Sequence, residues 1–171
     1  MNTAVVIGPI ILGDFIKLKN VLLSMSGTPI SQLIPDFHEL SFMAGTNIAF
    51  SEAVGLGLKK LALSSPYSPD QIEIMKKVTE YTSERCGTVT RLEPDLIKTM
   101  LYPRNIAKDK TVILIAKSTS VFEEYDALKK LKEESSAKGK PVDIELEIAR
   151  EFGKLLSYDD EKIESLIQKN G

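Results

Sequence analysis

The chain of 171 residues has one cysteine, one histidine and no tryptophan, and the first two scarcities each remove a class of function. A lone cysteine, Cys86, forbids an intramolecular disulfide, and with His38 as the single histidine no Cys/His zinc site can be assembled. Any metal would have to sit on carboxylates. Nothing calls for an organic cofactor, because the first glycine-bearing loop has neither G-x-G-x-x-G nor a Walker lysine-threonine pair. An excess of one charge is missing too: 22 Lys and Arg against 24 Asp and Glu leave −2, with the basic residues dispersed. No footprint for a phosphate backbone results, so nucleic acid is not an expected partner. The longest apolar runs, such as 4–7 and 112–116, fall far short of the roughly 20 residues that span a bilayer. The N-terminal stretch lacks a basic lead and is broken by Gly8, Pro9, Gly13 and Asp14, which reads poorly as a signal peptide. A cytoplasmic protein without a membrane partner is expected.

What remains is an ordinary globular composition, 43% hydrophobic and 27% charged, at a length suited to one domain. Strand-like runs alternate with helical patterns up to about residue 135. That alternation predicts α/β architecture: a doubly wound, mostly parallel sheet of flavodoxin-like or Rossmann-like type. The predicted strands are 3–7, 40–44, 58–63, 88–92 and 111–116, with an irregular, proline-punctuated stretch over 26–37. Predicted helices cover 14–25, 47–54, 69–86, 94–101 and from 120 to about 134. The helix over 69–86 is the best marked: Ser68-Pro69-Asp70-Gln71 supplies a cap, a proline at the first position and a capping box, and Gly87 stands where a C-cap glycine belongs. A linker over 135–141 divides this α/β part, 1–135, from a C-terminal helical extension of the same domain, 136–171. In the extension Ile144, Ile148, Phe152 and Leu155 form one apolar stripe and Ile163, Leu166 and Ile167 another.

In an open parallel sheet ligands bind beyond the carboxyl ends of the strands, so the residues after each strand are the candidates. Four loops qualify: Gly8-Pro9 to Gly13-Asp14, Gly45-Thr46-Asn47, Ser64-Ser65-Pro66-Tyr67-Ser68 and Lys117-Ser118-Thr119-Ser120. Hydroxyls and free backbone N–H groups at helix starts suit a carboxylate or phosphate. The candidate ligand-binding set is Gly45, Thr46, Asn47, Ser64, Ser65, Tyr67, Lys117 and Ser118, without an assigned catalytic residue. The plain alternative is that these residues only cap helices and turn the chain, since Ser, Thr, Asn and Asp lead the capping preferences anyway. Asp14, Asp36 and Asp70 are equally good caps, and His38 reads as a surface residue. Cys86, late in a helix, lacks the helix N-terminus that would activate a thiol.

The segments Ala44-Gly45-Thr46-Asn47, Glu52-Ala53 to Leu56-Gly57, Lys59 to Tyr67 and Gly87-Thr88-Val89 together resemble part of the aspartate/glutamate racemase superfamily. The likeness is to its maleate isomerase and arylmalonate decarboxylase branch and covers about residues 38–92. Gly45 stands where that family has its first catalytic cysteine, and Lys117-Ser118-Thr119 occupies the region expected to hold the second. The resemblance therefore implies a carboxylate cradle from Thr46, Asn47, Ser65 and Tyr67, without two-cysteine proton transfer.

Three readings follow. The first is binding of a small anionic ligand at the strand ends, with any catalysis independent of cysteine. The second is a non-catalytic subunit or scaffold whose C-terminal helices dock a partner or a second copy, making a homo-oligomer. The third is a transferase or lyase acting on a phosphorylated substrate through Lys117. An enzyme should show a cleft lined by the four loops; a scaffold should show those loops filled by its own side chains.

Overall fold

The computed structural model describes residues 39–103 and 105–171. The first expected βα unit (3–7 and 14–25), the irregular 26–37 stretch, the 8–14 loop, Asp14, Asp36 and His38 lie outside the described residues. The chain divides into two compact units, Met1–Phe42 and Met43–Gly171. Of the first, only residues 39–42 are described, as the opening turn of a helix.

The described elements, in order, are α1 (Glu39–Gly55), β1 (Leu61–Leu63), α2 (Pro69–Cys86), β2 (Val89–Glu93), β3 (Val112–Ala116), α3 (Thr119–Ala137), α4 (Val142–Leu155) and α5 (Asp160–Asn170). The strands form one sheet in the order β1-β3-β2, and both outer strands run antiparallel to β3. This overturns the doubly wound parallel sheet. The expected β1-α2-β2 unit does exist, and its two strands are parallel to each other. They are not neighbours, because β3 lies between them in the opposite sense, as in a split βαβ unit.

The reason lies in residues 94–111. A parallel neighbour needs a crossover that carries the chain back to its starting end, usually on a helix. The expected helix over 94–101 does not form, because its backbone N–H groups are engaged elsewhere. Ile97 N donates to the Tyr125 hydroxyl at 3.1 Å, Asp95 N to Glu93 Oε1 at 3.1 Å and Leu101 N to Thr99 Oγ1 at 3.2 Å. Leu96, Ile97 and Leu101 are buried from this irregular path. The chain therefore stays at the end where β2 finished and re-enters the sheet as an antiparallel strand.

The run 40–44, expected as a strand, lies inside α1. A short apolar run does not distinguish a strand from a helix by periodicity alone. Gly45, expected to turn the chain, sits mid-helix facing open space, where a Cβ would meet nothing within 4 Å. Thr46 and Asn47 are consequently helix-interior residues rather than caps.

Elsewhere the local signals hold. α2 spans the expected residues, Ser68 N donates to Gln71 Oε1 at 3.1 Å, and Gly87 ends the helix with φ 62° in the left-handed region that glycine tolerates best. β3 is buried along its whole length, as a strand flanked on both edges should be. In the extension α4 begins at Val142 after Pro141, and α5 is capped by Asp159, whose Oδ1 accepts from Lys162 N at 2.7 Å.

Alternation along the strands puts Leu61, Leu63, Val89, Val112, Leu114 and Ala116 on one face. That face joins one apolar cluster with Val121, Phe122 and Tyr125 of α3, Ile148, Phe152 and Leu155 of α4, and Ile163 and Ile167 of α5. The stripes of the C-terminal helices are thus spent inside the core. Ala62, Ile113 and Ile115 point to the opposite face and belong, with Val54, Tyr67 and Met75, to a second buried set outside that cluster. Among the described residues no helix is long and apolar enough to cross a membrane.

Candidate functional site

α1 and α2 meet along a seam of small and polar residues. Asn47 bonds Thr79, Ser51 approaches Ser83 at 3.5 Å, and Gly55 lies against the Cys86 carbonyl. The nearly constant offset of about 32 residues means that the helices run side by side in the same direction. A Cβ on Gly55 would stand 2.5 Å from Cys86 O, so the glycine permits the closest approach.

Into this seam comes Tyr67, from the segment after β1. Its backbone pairs with Thr111 in both directions, at 2.8 and 2.9 Å, which extends the sheet by one bridge and fixes the side chain inward. A directional chain of bonds follows. Tyr67 OH donates to Asn47 Oδ1 at 3.0 Å, Asn47 Nδ2 donates to Thr79 Oγ1 at 2.7 Å, and Thr79 Oγ1 donates to Met75 O at 2.6 Å. Thr79 has one hydroxyl hydrogen and gives it to Met75 O, so it can only accept from the Asn47 amide nitrogen, which turns the Asn47 carbonyl oxygen to the phenol. Asn47, Tyr67 and Thr79 are each 0% exposed, and burial pushes the Tyr67 phenol above its ordinary pKa despite the opposing influence of the Ser64 and Asn47 side chains.

Two of the sequence-selected loops are therefore brought together, Gly45-Thr46-Asn47 and Ser64 to Tyr67, but around each other's side chains. Ser64 is buried in the ladder: its Oγ accepts from Ile113 N at 2.8 Å and donates to Ser65 O at 2.7 Å. Ser65 is half-buried, Thr46 half-buried and Gly45 exposed. Lys117 and Ser118 lie elsewhere. Because β3 is antiparallel, its carboxyl end adjoins the starts of β1 and β2, with Ala116 level with Leu61 and Val89. Lys117 and Ser118 thus sit at the sheet end opposite to Ser64 and Tyr67, and one small ligand cannot touch both groups. Lys117 Nζ donates to the Gly55 carbonyl at 3.0 Å, a cation closing the carboxyl end of α1. Ser118 precedes α3, and its Oγ lies 2.7 Å from Ser120 Oγ.

Cys86 is partly buried at the end of α2, and burial followed by the nearby Glu52 raises its thiol pKa, the reverse of activation.

Sequence reasoning missed the charged groups beside the 94–103 segment. Arg91 makes a bidentate pair with Asp126 at 2.7 and 2.8 Å and stacks over Phe122 and Tyr125. Lys129 Nζ bonds Glu93 Oε1 at 2.9 Å and the Asp95 carbonyl at 3.0 Å, while Lys132 and Ser135 hold Glu145. Burial works against ionising Glu145, but these two bonds outweigh it and keep its pKa below the usual carboxylate range. A cleft of about 330 Å³ opens here, lined among others by Lys98, Lys129, Lys132, Lys140 and Glu145. A second cleft of about 460 Å³, lined by Leu96, Ile97, Tyr102, Pro103 and Ile106, lies along the same segment. Charges in the first cleft are largely paired, Lys98 with Asp95, Lys129 with Glu93 and Lys132 with Glu145. No periodicity announces the last two pairs, because they join residues 36 and 13 positions apart on different elements.

Compared with known proteins, the chain matches no family model, no curated protein and no solved structure.

Proposed function

We propose that this chain is a non-catalytic subunit or scaffold domain that docks a partner protein, working in the cytoplasm. One observation carries the reading: the polar side chains best placed for a small ligand, Asn47, Ser64 and Tyr67, are spent on one another, on Thr79 and on the sheet ladder. A ligand entering there would have to break bonds that are already made and buried, each worth about 1 kcal/mol net and more when a partner is stranded. Lys117, the residue on which a phosphate-transfer reading depends, is engaged in closing α1. The apolar stripes of α4 and α5 lie in the core, so docking by this chain would use other surfaces than its C-terminal helices.

Native mass spectrometry of the purified full chain, alone and after incubation with phosphate, malate and aspartate, tests this. The expected spectrum shows only the bare protein mass. A retained anion that is lost in the Thr46→Ala/Ser65→Ala double variant, with the variant still folded, would overturn the reading in favour of a ligand site at those loops.

A further inference from the structure

The two edges of the sheet are not alike. β1 offers only three residues, and beside it Lys60 N is already taken by Ser157 Oγ at 2.8 Å. β2 offers five, Val89–Glu93, all paired with β3 along one side. Along the other side no backbone N–H or C=O of Val89–Glu93 has a hydrogen-bond partner among the described residues. Natural proteins shorten or guard such edges, because a row of unpaired donors and acceptors at strand spacing is a template for another strand.

We propose that the outer edge of β2 receives an extended segment of a partner protein as an added strand, which makes it the docking surface of the scaffold reading on which this inference rests. The occupant is defined by what the edge lacks: alternating main-chain donors and acceptors, which a strand supplies and a helix, already bonded to itself, does not. Side chains of the added strand fall alternately on two faces. One face meets Thr90 and Leu92. Leu92 is 39% exposed although it belongs to a sheet, and it offers an apolar neighbour to a β-branched or aliphatic side chain. The other face meets Arg91 and, beyond it, Asp126 and Lys129 of α3. These charges are already paired, Arg91 with Asp126 and Lys129 with Glu93. They select no charge of one sign, so polar residues suit that side, and inward charges of this kind discourage indiscriminate pairing of apolar strands.

The test uses the full chain and a random peptide library displayed on phage, with the best selected peptide then made synthetically. In the free protein the outward amides of Val89–Glu93 should exchange with deuterium much faster than those of β3. Adding the peptide should slow that exchange in β2 specifically. Methylating alternate backbone nitrogens of the peptide should weaken binding at least tenfold on the register that faces β2 and leave it unchanged on the other. Leu92→Lys should weaken binding by a similar factor. Protection of these outward amides in the free protein, whether by this chain or a second copy, would overturn the proposal. So would peptides that protect other segments, peptides indifferent to N-methylation, or a library that yields none. Peptides protecting another surface would leave the scaffold reading standing, whereas a retained anion in the mass spectrum would remove that reading whatever the peptides do.

Discussion

Between α1 and α2 the contacts are small and polar; between the sheet and α3, α4 and α5 they are large and apolar. On the polar side Asn47, Ser51 and Gly55 face Thr79, Ser83 and Cys86, and the Tyr67 hydroxyl joins the directional bonds between the helices. On the apolar side Phe152 is fully buried with its ring 5.9 Å from that of Tyr125 and 6.4 Å from that of Tyr102, in a cluster that draws aliphatic residues from the sheet and from α3, α4 and α5. Burial of apolar area is forgiving of small shifts, whereas a chain of bonds is satisfied in one arrangement only. The apolar side supplies most of the stability, and the polar side fixes how the chain after β1 is seated.

The largest effect should follow from attacking the apolar side. Phe152→Ala removes a ring from a fully buried site and should cost about 3–5 kcal/mol, read as a lowered denaturant midpoint. A loss under about 1 kcal/mol would mean that this cluster is not the main source of stability. On the polar side Gly55→Ala drives a methyl group to 2.5 Å from the Cys86 carbonyl, where only backbone movement can relieve it. The cost should be about 1–3 kcal/mol by the same measurement, although the residue gains helix propensity.

A smaller effect, with a pH signature, is expected where the two helical layers of the apolar side are tied by charge. Glu145→Gln leaves Lys132 without its carboxylate and should cost about 1–2 kcal/mol at neutral pH. The Glu145 pKa is lower folded than unfolded, so its contribution is fully present above the ordinary carboxylate pKa of about 4.3 and is lost as pH falls through the folded value. The stability gap between wild type and variant should therefore be flat above about pH 5 and close below about pH 4. A gap independent of pH would show that Glu145 acts by its shape and not its charge.

The same contrast explains what could be read in the sequence. The stripe Ile144, Ile148, Phe152, Leu155 stands out because apolar burial follows the 3.6-residue period, and the cap and Gly87 of α2 stand out because they are local. Tyr67 and Asn47 stand out in the sequence only as residue types suited to an anion, since the bonds that consume them, to each other and to Thr79, span 20 and 32 positions. Their meeting was legible, in that both loops were expected at one place; their use was not. The direction of β3 was illegible for a related reason. It depends on a Tyr125 hydroxyl and a Glu93 carboxylate capturing the amides of a segment whose composition reads as a helix. Leu40 to Ala44 shows the remaining limit, an apolar run that fits a strand or a helix equally until its neighbours are known.

Whether the Tyr67 and Asn47 side chains are committed to each other is measured most directly by a double-mutant cycle. Tyr67→Phe, Asn47→Ala and the combined variant are compared with wild type by equilibrium denaturation. Each single change strands a buried partner, so each should destabilise, and the double variant should be less unstable than their sum by about 1 kcal/mol or more. Additive effects, or a Tyr67→Phe variant as stable as wild type, would contradict the account and return both groups to the pool available for a ligand.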